Sequence, residues 1–274
     1  MINVVTLMDD ASSENLALKA EHGLSFFIEV GKRKFLFDCG ASSTTILNAH
    51  RLGVELKSVE FTVCSHSHYD HAAGFRDMAE AGMGGKVLYT GNKFFERKYA
   101  YDGVKFTDLS CGFDESFLDR FCIEHKVCAD ITEVAEGCWL VGNFPRKYAF
   151  ETIPQRFVRG LSSAVADDFC DEICLAMKCD KGLVVLVGCS HPGILNMVSR
   201  VHDALKLPIY AVFGGTHLIE ADGERINTTI DVLCGMGLSV LGLSHCSGAA
   251  AEAAIARSKR VKSCHLGTGD CISL

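Results

Sequence analysis

The last third of the chain alternates strand and helix with a regularity that leaves few architectures open. Apolar β-type runs at 183–188, 209–214 and 238–243 are each followed by an amphipathic stretch, at 194–205, 223–235 and 249–257. Strands joined through helices in this way pair in parallel and carry the helices on a sheet face. Each strand also runs into a histidine-bearing turn: Gly188-Cys189-Ser190-His191, Gly214-Gly215-Thr216-His217 and Leu243-Ser244-His245-Cys246. Ligands of β/α architectures gather at the carboxyl ends of the strands, so the three imidazoles are expected on one rim.

The densest chemistry lies earlier, in Cys64-Ser65-His66-Ser67-His68-Tyr69-Asp70-His71. This run follows the apolar segment 59–63 and precedes Ala72-Ala73-Gly74-Phe75, where a helix can begin. Alternate strand residues share a face, so His66 and His68 project together while Asp70 and His71 fall in the turn beyond. Three imidazoles and a carboxylate this close oppose one another's protonation and stay poorly solvated unless a cation sits among them. Metal binding is therefore the reading for His66, His68, Asp70 and His71. Of the other histidines, His22, His50, His125, His202 and His265 follow no strand-end rhythm, and His50 and His202 fall in expected helices as surface or packing residues.

A chain of 274 residues with 48% apolar content can bury a sizeable core, and no low-complexity linker divides it, so residues 1–274 read as one domain. Its first quarter alternates strand-like runs at 3–7, 24–30, 34–38 and 60–64 with one helical segment at 43–52. Residues 93–159 are aromatic and charged with weak periodicity, and are expected to form loops or a cap. A net charge of -7 gives no broad electropositive field, which argues for a small-molecule substrate and against nucleic acid. The chain shows neither a leader pattern nor a membrane-spanning apolar run, so it is expected to be cytoplasmic, without membrane association. Its fourteen cysteines, lacking any C-x-x-C pair, are expected as reduced thiols. Oligomeric state is left open, a homo-oligomer included.

These motifs resemble those of the metallo-β-lactamase fold superfamily, whose signature is an H-x-H-x-D-H strand end preceded by a strand closing in an aspartate, here Phe35-Leu36-Phe37-Asp38-Cys39-Gly40. The resemblance is closer to a branch of hydrolase-like proteins labelled dihydropterin ribofuranosyl-aminobenzene phosphate synthases. It is carried by Glu21-His22-Gly23-Leu24-Ser25, the histidine run, Gly188-Cys189-Ser190-His191-Pro192-Gly193-Ile194, Gly214-Gly215-Thr216-His217-Leu218 and His245-Cys246-Ser247-Gly248. The resemblance implies a four-layer αββα sandwich of two mixed β-sheets with outer helices and metals at one edge. Two departures stand out. Between His71 and His191 the chain offers only His125 where most of the superfamily has a further ligand, and the bridging aspartate is replaced in Gly188-Cys189-Ser190-His191, so that His191 or Cys189 would substitute.

The implied site places His66, His68 and His191 around one divalent ion and Asp70, His71 and His245 around or near a second, with one fully occupied site as the alternative. Zinc is the first choice of metal from nitrogen-rich ligation, with manganese and iron as alternatives. A glutamate at the place of His68 is usual in dioxygen-reducing relatives and is absent here. Such an ion lowers the pKa of bound water from about 15.7 toward about 7 and polarises a carbonyl or phosphoryl oxygen, so a metal-activated hydroxide and hydrolysis of a small phosphorylated or ester-like substrate follow. Asp70 would orient the nucleophile, His217 would ligate metal or donate a proton to the leaving group, and Asp38 and Cys189 would stand behind the ligands. Arg146, in Gly142-Asn143-Phe144-Pro145-Arg146, would be an ordinary surface arginine or clamp a phosphate or carboxylate. The alternatives are the transferase named by the branch, condensing an aminobenzene-ribofuranosyl phosphate with a pterin pyrophosphate; an iron-dependent redox enzyme or sensor; and a binding protein with a vestigial metal site.

Overall fold

A computed structural model describes residues 1–11, 13–161 and 164–274. Two seven-stranded sheets lie face to face. Across the first run Cys271–Ser273, Ile2–Met8, Ser25–Val30, Arg33–Phe37, Phe61–Val63, Val87–Thr90 and Glu124–Val127. Across the second run Lys262–Cys264, Val240–Leu243, Ile209–Gly214, Gly182–Val187, Cys174–Cys179, Cys138–Val141 and Ile131–Ala135. Both are mixed: antiparallel hairpins at one side pass into a parallel set at the other.

The period of two explains the layering. Along Ser25–Val30 and Arg33–Phe37, Phe26, Ile28, Phe35 and Phe37 point into the space between the sheets, where they meet Leu175, Met177, Val184, Leu186 and Phe213 of the second sheet. The intervening Phe27 and Leu36 turn outward to Ala49, Phe75, Met78 and Phe117, which lie on the helices Thr44–Arg51, Gly74–Glu80 and Glu115–Arg120. In the second sheet Leu183, Val185 and Val187 face outward onto the helices Ile194–Leu205, Gly223–Gly235 and Ala249–Ser258. Strands apolar on both faces thus require covering on both, and the result is the αββα sandwich expected from the sequence. Burying each such side chain contributes about 1.5–3 kcal/mol, so the three apolar layers dominate the fold's stability.

The helices expected at 194–205 and 223–235 occupy those residues. The span 93–159 differs from a set of loops, because its strands Glu124–Val127, Ile131–Ala135 and Cys138–Val141 complete both main sheets. Its periodicity is weak because Glu124–Val127 and Ile131–Ala135 are edge strands with few buried positions. The remainder joins Val165–Ala166 in a small third sheet, ordered Val165–Ala166, Phe157–Arg159, Lys98–Tyr101, Phe106–Asp108. All fourteen cysteines are unpaired. Among the described residues no helix is long and apolar enough to cross a membrane.

Candidate metal centre

The parallel strands Arg33–Phe37 and Phe61–Val63 end side by side, which puts Asp38 against Ser65. Asp38 Oδ1 accepts the Ser65 N–H at 2.6 Å, and Oδ2 accepts from Ser65 Oγ at 2.8 Å and from His71 Nδ1 at 2.7 Å. A carboxylate only accepts, so the proton of His71 is fixed on Nδ1 and its Nε2 lone pair faces inward. Ser65 has a single hydroxyl proton, which goes to Asp38; its oxygen, 2.9 Å from His66 Nδ1, must accept from that ring. His66 Nε2 is then a lone pair too, and it is buried without a hydrogen-bond partner.

The second sheet supplies the other half. Glu172, fully buried, accepts the N–H groups of Ser190 at 2.5 Å and His191 at 2.9 Å, holding the turn after Gly182–Val187. Beyond Val240–Leu243, His245 donates its N–H to Asp9 at 2.9 Å and its Nδ1 lies 2.7 Å from Asp10 Oδ1. Its Nε2 is 3.1 Å from His71 Nε2 and 3.4 Å from Asp70 Oδ2. Asp38, Ser190, His217 and His245 all take positive φ, between 49° and 61°, so several turns of this rim hold non-glycine residues in the left-handed region.

Two fully buried sets of donor atoms result, besides a partly exposed one of Asp10, His22 and His245. Asp70, His71, Cys189 and His245 form one, and His66, Cys189 and His191 the other, with donor atoms in each set within 4.8 Å of one another. Cys189 belongs to both, and its Sγ is 3.1 Å from His71 Nε2. His68 Nε2 and both ring nitrogens of His191 are buried and unpartnered, and the two rings lie 5.0 Å apart. Unpaired imidazole nitrogens in so dry a place are costly unless a cation takes their lone pairs, and a His/Asp/Cys set of this kind fits a divalent ion.

The electrostatics point the same way. Burial, then repulsion from His71 and His68, holds His66 well below the usual imidazole range; burial, then His217 and His66, does so for His191, and burial does the same to His68 against the pull of Asp70. Asp70 is held low: burial would raise it, but His71, His245 and His68 outweigh that. His245 is driven up despite burial by Cys246, Asp10 and Asp70. Cys189 and Cys246 hold one negative charge between them; against burial, Cys189, His245 and His217 pull the Cys246 thiol down to about 5.

Behind these ligands lies a second layer. Lys98, 2% exposed, reaches from the small sheet to Asp171 at 2.6 Å and Asp167 at 2.9 Å. Asp171 also accepts the N–H of Ser67, between His66 and His68, at 2.9 Å. The Lys98 ammonium sits 4.3 Å from the Phe169 ring centre, and that ring stacks on His191 at 3.8 Å. The centre opens into a cavity of about 330 Å³ whose mouth includes His22, Tyr69, Arg156, Phe157, Ile219 and Glu220.

The model of the metallo-beta-lactamase superfamily matches residues 18–119. The 7,8-dihydropterin-6-methyl-4-(beta-D-ribofuranosyl)-aminobenzene-5'-phosphate synthase of Methanocaldococcus jannaschii is 32% identical over 279 residues, covering 92% of this chain and 89% of the relative. The chain belongs to the metallo-beta-lactamase superfamily. A crystal structure described as a metal-dependent hydrolase of the beta-lactamase superfamily superposes on this metallo-beta-lactamase chain with a TM-score of 0.86 at 26% identity, covering 100% of the chain and 99% of its counterpart. Zinc-bound PqqB of Methylobacterium extorquens shares the metallo-beta-lactamase fold, with a TM-score of 0.58 at 12% identity over 99% of this chain and 100% of that one.

Against the metallo-beta-lactamase pattern read from the sequence, the structure brings His66, Asp70, His71, His191 and His245 to one rim, with His68 beside them. Cys189, expected behind the ligands or in place of the missing aspartate, lies among them. His217 stands outside both donor sets, its ring 4.5 Å from His191 and its Nε2 3.6 Å from Glu220 Oε1. Arg146 is not brought to this cavity. It lines a separate one of about 240 Å³ behind Phe169, where it donates to the Asp168 carbonyl at 2.9 Å. The sequence reading gives Asp10 no role and places His22 outside the strand-end rhythm, yet Asp10 Oδ2 lies 2.8 Å from His22 Nδ1, and His22 Nε2 is 3.3 Å from Asp70 Oδ2. The Asp9-Asp10 pair directly after a strand was the available signal for Asp10.

Proposed function

We propose that this chain is a metal-dependent hydrolase acting on a small phosphorylated or ester-like molecule, with two divalent ions side by side at the rim. The observation that carries the reading is the membership of Cys189 in both donor sets, in the place of a bridging carboxylate. His66, His191 and His68 would hold one ion, and Asp70, His71 and His245 the other, with zinc favoured by the mixture of imidazole and thiolate. Bound ions supply Lewis acidity and a water of lowered pKa. A cation there would draw the shared negative charge of the thiol pair onto Cys189.

The protein's own groups do the rest. Asp70, anionic and 3.3 Å from His22, would accept a hydrogen bond from the attacking water and fix its direction. His217, beside His191 and with its Nε2 3.6 Å from Glu220 Oε1, would supply a proton to the leaving group. Phe157 and Phe169, edge-on to one another at 5.5 Å, keep water off the His68 and His191 side.

Condensation is the second reading, favoured by the name of the 32% identical relative. Protein reconstituted with zinc, and separately with manganese and iron, is to be incubated with bis(p-nitrophenyl) phosphate, p-nitrophenyl acetate and the pterin pyrophosphate with aminobenzene-ribofuranosyl phosphate pair. Release of p-nitrophenol that depends on His217 and Asp70 supports hydrolysis. Condensation of the pair with no hydrolysis of either ester would overturn it.

A further inference from the structure

Among the described residues that line the cavity, Arg156 alone carries a Lys or Arg charge. Its guanidinium lies 4.1 Å from the ring centre of Phe157, and that ring stands edge-on to His191 at 5.1 Å and to His217 at 5.6 Å. The planar cation therefore lies against the ring that separates it from the candidate metal ligands. Glu220 closes on it as a fork: Arg156 Nε donates to Oε2 at 3.2 Å and Nη2 donates to Oε1. Both partners of this pair are about two-fifths exposed, 42% and 36%, at the mouth. A bidentate carboxylate on a partly solvated guanidinium occupies the geometry in which a substrate's anionic group would be gripped.

We propose that Arg156 is the specificity-determining residue for a substrate bearing a phosphate monoester or carboxylate near its reacting bond, and that Glu220 is the internal stand-in which that anion displaces. Glu220 has a second partner waiting, because its Oε1 is only 3.6 Å from His217 Nε2. It follows His217 in the short helical turn Leu218–Glu220, so leaving Arg156 returns it to the imidazole rather than to open water. The inference rests on the two-metal hydrolase reading for the inner end of the cavity and concerns the outer end.

The test uses hydroxamates, whose paired oxygens chelate divalent ions, and reads dissociation constants by calorimetry on the zinc-loaded protein. Butanoyl hydroxamate is the neutral probe; succinyl hydroxamate and 3-phosphonopropanoyl hydroxamate carry a terminal carboxylate and phosphonate at similar reach. The wild type is expected to prefer at least one anionic probe over the neutral one by about tenfold or more. Arg156→Met abolishes the preference, Arg156→Lys retains part of it, and Glu220→Gln widens it. The stronger of the two anionic probes assigns the substrate's charged group as phosphate or carboxylate. Equal affinities for all three probes in the wild type, or an unchanged preference in Arg156→Met, would overturn the proposal. Failure of every probe to bind, the neutral one included, would instead overturn the metal reading beneath it.

Discussion

At the scale of the residue, one hydroxyl proton organises the first half of the rim. Ser65 gives it to Asp38, which settles the tautomer of His66, and the same carboxylate accepts from Nδ1 of His71 and so settles that ring too. Replacing Asp38 by Ala removes three accepted hydrogen bonds at once and is expected to weaken metal binding by about 10–100-fold, measured by competition with a zinc chelator; an unchanged affinity would show that the carboxylate does not position the imidazoles. Cys189→Ser carries a sharper signature. The cobalt-substituted wild type should show a sulfur-to-metal charge-transfer band, and the serine variant should lose it while also losing metal content; a band that survives would exclude Cys189 as a ligand. The histidines were readable in the sequence because strand ends announce themselves through apolar runs. Cys189 was readable as a substitute for an aspartate but not as a shared corner, since that depends on two sheets meeting. Arg156 could not be told from Arg146, because which of them faces the cavity is decided by the pairing of Phe157–Arg159 with Lys98–Tyr101.

At the scale of elements, the small sheet and the main sheets are pinned together where Lys98 enters the wall of the centre. Burial alone would discourage its charge, but Asp171 and Asp167 outweigh it and keep the ammonium protonated. Lys98→Met strands two carboxylates in a dry place and is expected to cost about 3–5 kcal/mol in urea unfolding, with part recovered on adding Asp167→Asn. A loss below 1 kcal/mol, of the order of an exposed pair, would mean that water reaches the cluster. Gly188 marks the second junction: a Cβ there would lie 2.1 Å from Ser65 Oγ and 3.3 Å from Asp38 Oδ2. Gly188→Ala should therefore push the two sheets' strand ends apart and lower metal content, and full metal loading in that variant would contradict the close approach. The alternating rhythm of the last third was legible because its strands are central and apolar on both faces. The edge strands of 93–159 were not, because an edge strand needs no such pattern.

At the scale of the whole molecule, the chain's final segment crosses from the second sheet, at Lys262–Cys264, to the first, at Cys271–Ser273. His265 fastens the crossing: its Nε2 lies 2.8 Å from Asp9 Oδ2 and its Nδ1 3.1 Å from Glu252 Oε1. The hydrogen bond to Asp9 chiefly, against burial, raises its pKa from 6.5 to about 9. A histidine raised on folding stabilises fully below its unfolded pKa, and that contribution drains away as pH climbs through the folded one. Thermal midpoints are expected to fall between pH 6.5 and about pH 9, with a shallower fall in His265→Asn. Equal slopes in the two proteins would show that this clasp does not govern alkaline stability.

His71 and Cys189 lie 118 positions apart in sequence, and His71 and His245 lie 174 apart. During synthesis the histidine run emerges long before its distant partners, so it spends most of translation as a cluster of weak, competing ligands. A cation captured then would find only one side of its cage and would exchange readily. On the metal reading proposed above, durable loading would await the arrival of Cys189 and His245, which would make uptake a late, whole-chain event and the ion a bolt across two halves made at different times.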